Sequence, residues 1–409
     1  MPSSHLTSVD LADPHTFLNH DLHELWRSLR TDSPVYWNPP SESAPGFWAV
    51  MRYNDIVSVY RDPEEHFTST RGNVLSTLLQ GHDSASGQML AVSDGPRHRA
   101  TRALLLKSFT PKALAPVMAK VHARTRRLVA QAIDCGEVDF ATDIADQIPI
   151  NTIGDLMDVP EYDRPQLVNW NTMSLARDGA GGGDLDEILA RNEILMYFAD
   201  LAEQRRREPG DDVVSALANG TIDGEPLTED EVVLNCYSLV LGAEQSSRMS
   251  SIGGVLALAE YQDEWRRLKN GDVGLDTATE EILRWTTPAM HMGRRALADT
   301  EIGGQAIAKD DIVTLWNTSG NFDDEVFADP TRLDLGRKPN KHLAFGLGAH
   351  FCLGAFLGRT HLTAALEAVR DLVSTVEVRT PPRRLFSNFV LGYTNAPVHL
   401  HGEPGAAGK

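Results

Sequence analysis

Apolar residues recur three and four apart around 112–134, 190–206, 228–260 and 353–374, each run ending near glycine, proline or a charge cluster. This is the spacing of packed helices. The run from Thr228 opens with a T-x-x-E capping box, Thr228 to Glu231, and continues without proline through LNCYSLVLGAEQSSRMSSIGGVLALAE, which predicts a helix of about 30 residues. Most of its faces are apolar, so it is expected to cross the core. It nevertheless carries Glu244, Gln245, Ser246 and Ser247 near its middle, and buried polar groups need partners or a purpose. Short β-like runs at Phe47–Met51, Val313–Trp316 and Val376–Val378, with EIGG at 301–304 as a turn, add small sheets. The expected fold class is mainly α with a small, peripheral β-sheet region. The run DGAGGGD at 178–184 separates two helical patterns and reads as a lid hinge or a plain surface loop. It lacks the strand, spacing and basic residue of a phosphate-binding loop.

The chain has 409 residues, 42% hydrophobic and 23% charged, a composition that excludes disorder and fibrous architectures. Length alone suggests two to three domains at about 150 residues each. No repeat, linker or composition shift divides the chain, so one domain over 1–409 is expected, with 1–10 and 402–409 as flexible termini. Lys plus Arg is 38 and Asp plus Glu is 57, giving a net charge of −19; binding to nucleic acid or anionic membrane is disfavoured. No signal-peptide pattern and no run of about 18 apolar residues occurs, so a soluble, cytoplasmic protein is expected. Cys135, Cys236 and Cys352 form no CxxC pair, against a disulfide framework or structural zinc site.

The most specific segment is HLAFGLGAHFCLGAFLGR, from His342 to Arg359. Phe345, Gly346, Gly348, His350, Cys352 and Gly354 match F-G-x-G-x-H-x-C-x-G without departure, and here the chain resembles the cytochrome P450 family. Glycines let such a loop bend close to a flat macrocycle, and a helix starting after Cys352 aims amide N–H groups at the sulfur. Three further segments match in the family's order. Glu281 and Arg284 in EEILRWTTP resemble its E-x-x-R pair, a structural ion pair bracing the loop. His98 and Arg102, four apart, resemble its H-x-x-x-R clamp on a haem propionate. Arg294 in RRALADTEIGG stands where members reach the other propionate, with Arg295 as a competitor and His342 as an additional donor. FADPTRLDLGRKPN, with Phe327, Pro330, Arg337 and Asn340, completes a resemblance over residues 10–400.

The resemblance implies a triangular helical fold, haem b held through Cys352 as the axial ligand to iron, and reductive activation of dioxygen, chemistry that belongs to the cofactor. One motif departs from the family. Where hydroxylating members carry A-G-x-(D/E)-T, this chain reads Gly242, Ala243, Glu244, Gln245, Ser246. Gln245 cannot change charge, Ser246 is less restrained than threonine, and Glu244 lies one residue early, about 100° around the helix. Either Ser246 with water still relays protons for oxygen insertion, aided by Glu244 or Gln245, or the oxidant is turned to ring closure or desaturation. A non-catalytic haem-thiolate binding protein is the alternative from another class.

By the family's layout, substrate meets Asn73–Gln80, the helices flanking the glycine run, the PAMHM segment 288–292 and the turn Ser387–Leu391, with Leu79, Ala243, Met290, His291, Asn388 and Phe389 as candidate contacts. Asn73, Asn169, His291 and Asn388 offer hydrogen bonds, which suits an amide-containing molecule. The EEILRWTTPAMH and GRKPNKHLAFG stretches look like actinobacterial enzymes that tailor amino-acid or peptide metabolites, some bound to carrier proteins. Electrons are expected from a separate ferredoxin or flavodoxin with its reductase. Arg97, Arg99, Lys107 and Lys112, with Arg337, Lys338, Lys341 and Arg359, form the expected basic docking face.

Overall fold

Helix starts follow the local sequence. Thr110 accepts a hydrogen bond from the Ala113 amide at 3.2 Å, with Pro111 in the first turn, where a missing N–H costs nothing. At Thr228 the capping box forms in full, Thr228 and Glu231 each accepting the other's backbone N–H. In this computed structural model, which describes residues 9–41, 44–62, 64–175 and 184–404, the helices framing the interior are α1 (Tyr53–Tyr60), α2 (Gly95–Leu106), α3 (Pro111–Cys135), α4 (Gln147–Leu156), α5 (Arg164–Leu175), α6 (Asp184–Arg207), α7 (Glu229–Glu260), α8 (Leu275–Thr286) and α9 (Ala355–Leu372).

The four helical runs read from periodicity correspond to α3, α6, α7 and α9. α7 crosses the interior and packs on α4, α6, α8 and α9. α3 lies along α9, tied by His122 to Glu367 at 2.7 Å and Arg126 to Asp371 at 3.3 Å. The largest apolar cluster runs through α3, α4, α7 and α9; a second gathers around Trp26 and Trp316.

The sheets are small. One has strand order Val35–Asn38, Phe47–Val50, Ile312–Leu315, Met292–Ala296, Phe67–Thr68, with only the second and third strands parallel. Another joins Val373–Val378, Pro397–Gly402 and Glu137–Asp139. Gly303 and Gly304, both at positive φ, make the expected EIGG turn. Val9 is buried, Gly402 closes a strand, and Glu403 pairs with Lys269, so ordered packing reaches into both segments expected to be flexible. The glycine run at 178–183 lies outside the described residues. No described helix is long and apolar enough to cross a membrane.

One carboxylate fixes the core beneath the cysteine segment. Glu281 is fully buried and takes Arg284 through both oxygens at 2.8 Å, Arg337 at 3.1 Å, Asn340 at 3.1 Å and the Asp334 amide at 3.1 Å. Arg284 also donates to the Asn321 carbonyl at 2.8 Å, and the Asn321 side chain accepts the Leu343 amide at 2.7 Å. The expected E-x-x-R pair is therefore the centre of a network reaching within two residues of Phe345. Removing one partner of a buried ion pair leaves an uncompensated charge, typically about 3–5 kcal/mol. Glu281→Gln is expected to destabilise the protein by that amount in urea unfolding; a loss below about 1 kcal/mol would refute the role given to Glu281.

Candidate active site

The loop before α9 is bent by two glycines in left-handed conformation. Gly346 (φ 65°) lets its amide bond the Leu343 carbonyl at 2.9 Å, and Gly348 (φ 73°) lies against α1. A Cβ at Gly348 would come 2.1 Å from the Tyr60 carbonyl oxygen, so no other residue fits there without moving the helix. The Cys352 amide returns to the Phe345 carbonyl at 3.0 Å and closes the loop. Phe345 packs near Phe351 and under the Arg359 guanidinium, 4.6 Å from its ring centre.

Cys352 keeps exposed surface three residues before the start of α9. Burial pushes its thiol up, opposed by the Gly354 amide and by Arg102 and Arg359. A Cβ at Gly354 would lie 4.0 Å from the sulfur and touch nothing else within that distance. The glycine thus leaves the space beside Sγ clear.

Two arginines near the cysteine have no carboxylate partner among the described residues. Arg294 is buried, yet its described bond is to the Gly293 carbonyl at 2.7 Å, and its guanidinium lies 5.7 Å from the Tyr60 ring centre. No carboxylate pairs with Arg294 or Arg102 among the described residues. Arg102 donates to the Phe351 carbonyl at 2.6 Å. His98 is buried with neither ring nitrogen hydrogen-bonded; burial, with His350 and Arg102 nearby, pushes it down to about 4, so the ring is neutral. Its ring lies 4.3 Å from that of His350, which bonds Asp94 at 2.9 Å. Burial acts to raise Asp94, but bonds from His350, Thr68 and Ser69 win and hold it at about 2. Buried cations and orphan imidazole nitrogens are costly, and carboxylates are the groups that would satisfy them.

Comparison with known proteins identifies the family. The cytochrome P450 family model matches residues 274–383. Cytochrome P450 NovI of Streptomyces niveus is 42% identical over 399 residues, covering 98% of each chain. The chain belongs to the cytochrome P450 family. It is a haem b enzyme of the P450 monooxygenase type. Linalool 8-monooxygenase of Pseudomonas putida is 32% identical, covering 96% of this chain and 98% of that protein. The crystal structure of P450 OxyD, involved in biosynthesis of vancomycin-type antibiotics, superposes with a TM-score of 0.88 at 32% identity, covering 97% of this chain and all of that one.

The residues present fit haem: an exposed cysteine, a clear space beside its sulfur, and, among the described residues, arginines without a carboxylate and an imidazole without a hydrogen bond to take two carboxylates. Several expectations need correction. His342 offers no spare donor, because Nε2 bonds Glu280 at 3.2 Å and Nδ1 accepts the Ala344 amide at 3.2 Å. Arg295 does not compete with Arg294; on the same strand it faces Asp310, 3.9 Å away. Glu244 is buried on the side of α7 facing α5, bonded to Asn171, and so stands apart from any relay through Ser246. Ser246 is half-buried one turn beyond Gly242, where a Cβ would meet nothing within 4 Å; Gln245 keeps a buried Oε1 with no partner.

Of the expected substrate contacts, Met290 is wholly buried in the Trp26–Trp316 cluster. His291 is also buried; Nε2 accepts the Leu75 amide at 3.2 Å, the ring lies 4.7 Å from Trp316, and burial pushes it down to about 3. Asn388 spends its amide on the Ala12 carbonyl at 2.7 Å. All three side chains are taken up by packing or hydrogen bonds within the protein. Leu79, Ala243 and Phe389 are half-buried. The basic face also shrinks: Arg337 is buried on Glu281, Arg359 pairs with Glu280 at 2.6 Å, and Arg97 pairs with Glu231. Lys107, Lys112, Lys338 and Lys341 remain exposed, and Arg99 lies 3.7 Å from Glu64.

Sequence reasoning missed Asp94, Glu280, Tyr60 and Asn171, which hold His350, His342, the glycine loop and Glu244. Only Asp94 carried a local signal, standing just before the Gly-Pro start of α2. Gly348→Ala is expected to lower haem occupancy of purified protein several-fold while leaving helical circular dichroism largely intact; full occupancy would show that Tyr60 does not fix the loop.

Proposed function

We propose that this P450 hydroxylates an amino-acid-derived or peptide-like secondary metabolite in the cytoplasm, with electrons from a separate ferredoxin or flavodoxin and its reductase. The observation carrying this reading is that Gly242 and Ser246, one helical turn apart, share a face of α7, with open space at Gly242, while Glu244 is turned away. Similarity to OxyD supports the substrate class.

When bound, haem supplies reductive dioxygen activation and oxidation of a substrate C–H bond. Cys352 would hold the haem iron through its sulfur, and the Gly354 amide with Arg102 and Arg359 favours its thiolate. His98 with Arg102 would hold one propionate and Arg294 the other, giving anions to an imidazole without a hydrogen bond and to cations without a carboxylate among the described residues. The loop glycines admit the macrocycle. Ser246 Oγ passes a proton inward from water, and the Gln245 amide orients that water. Ring closure or desaturation without oxygen insertion is favoured by one feature, the uncharged Gln245 in the acid position.

Haem-loaded enzyme with a surrogate ferredoxin and reductase would be incubated under isotopically labelled dioxygen. Amino acids and short peptides would be supplied free and as thioesters on a peptidyl carrier protein. A product carrying one labelled oxygen is expected, more abundant with the carrier-bound substrates. Loss of two hydrogens without label, with dehydration of a labelled alcohol excluded, would overturn hydroxylation.

A further inference from the structure

Glu244 is a buried acid that the relay does not use. Its carboxylate accepts a hydrogen bond from Asn171 on α5, which joins α5 to α7 within the turn that carries Gly242 and Ser246. Beside it lies a cavity of about 20 Å³, lined largely by apolar groups such as Ile153, Leu167, Phe198 and Val240. A pocket with so little polar lining gives an ionised carboxylate little solvation.

The charged neighbours are committed elsewhere. Arg248, one turn along α7, pairs with Asp146 at the start of α4. Arg164 of α5 lines the same cavity, but donates to Asp155 at 3.0 Å, to the Val159 carbonyl at 3.0 Å and to Asn151 at 3.4 Å. α6 presents Phe198. Burial therefore raises the Glu244 carboxyl; the Asn171 bond and Arg248 oppose this, Asp146 adds to it, and the group is held at about 7.

We propose that Glu244 is a positioning residue: when protonated it seats α5 against α7 beside Ser246, and when ionised it draws in water and releases α5. Seating shapes the wall next to the reacting face and excludes water from it. The direction of the pH effect follows from linkage. Lifting α5 exposes Glu244 to water and returns it towards its ordinary 4.5, whereas the seated value is about 7. Seating is at full strength below the lower value, weakens as pH rises between the two, and levels off above the higher. From these values, release of α5 should become about 25-fold more favourable between pH 5.5 and 8.0.

The test is amide hydrogen exchange on the haem-loaded enzyme at both pH values, corrected for intrinsic exchange, with α9 as an internal control. It assumes no substrate, so its failure is separate from failure of the proposed hydroxylation. Protection of α5 should fall by roughly 25-fold as pH rises while that of α9 holds. Glu244→Gln keeps an acceptor for Asn171 but cannot ionise, and should leave α5 equally protected at both values. Asn171→Ala should lower α5 protection at both. Wild-type α5 protection that is flat with pH would overturn the proposal, and so would a Glu244→Gln variant that keeps the wild-type fall. The wild-type profile decides the matter even if a variant fails to fold.

Discussion

A single desolvated carboxylate, Glu281, sets the geometry on which the haem site depends. Two guanidinium groups, an asparagine amide and a backbone N–H converge on it, which is the condition under which a buried charge is tolerable. Through Arg284 and Asn321 it pins the Leu343 amide, and from there the loop has little freedom. Gly346 and Gly348 turn it against Tyr60, and the Cys352 amide ties back to Phe345. The position of the sulfur is thus fixed by groups that never touch it.

Around this rigid base the interior is unbalanced by design of its side chains. Among the described residues buried Arg294 has no carboxylate partner and buried His98 no hydrogen bond, a cost that a bound anionic ligand would offset. On the far side of α7 the imbalance has the opposite sign, a carboxyl group held by a neutral amide in an apolar pocket. The first suits the site to a cofactor bearing carboxylates. The second joins the same helix to α5, so the reacting face and its cover meet at one turn of α7.

Much of this was legible because it is local. Helix periods, the Thr228 capping box and the F-G-x-G-x-H-x-C-x-G segment are short-range patterns, and structure follows them closely. Glu281 with Arg284 was readable as i, i+3, but its link to Arg337 and Asn340 spans more than fifty residues and left no spacing signal. The candidates that failed did so for lack of tertiary partners in the reading. His342 looked like a free donor until Glu280 is seen beside it, and His291 and Asn388 looked polar and available although the Leu75 amide and Ala12 carbonyl consume them. Helical phase gave the displacement of Glu244 from the acid position; what it faces, Asn171, lies 73 residues away.

The most direct measurement is a crystal structure of the haem-loaded enzyme with iron located by anomalous scattering. Iron bonded to Cys352 Sγ is expected, with one propionate on His98 and Arg102, the other on Arg294, and His342 still on Glu280. Iron ligated elsewhere, or propionates leaving His98 and Arg294 unpaired, would contradict it.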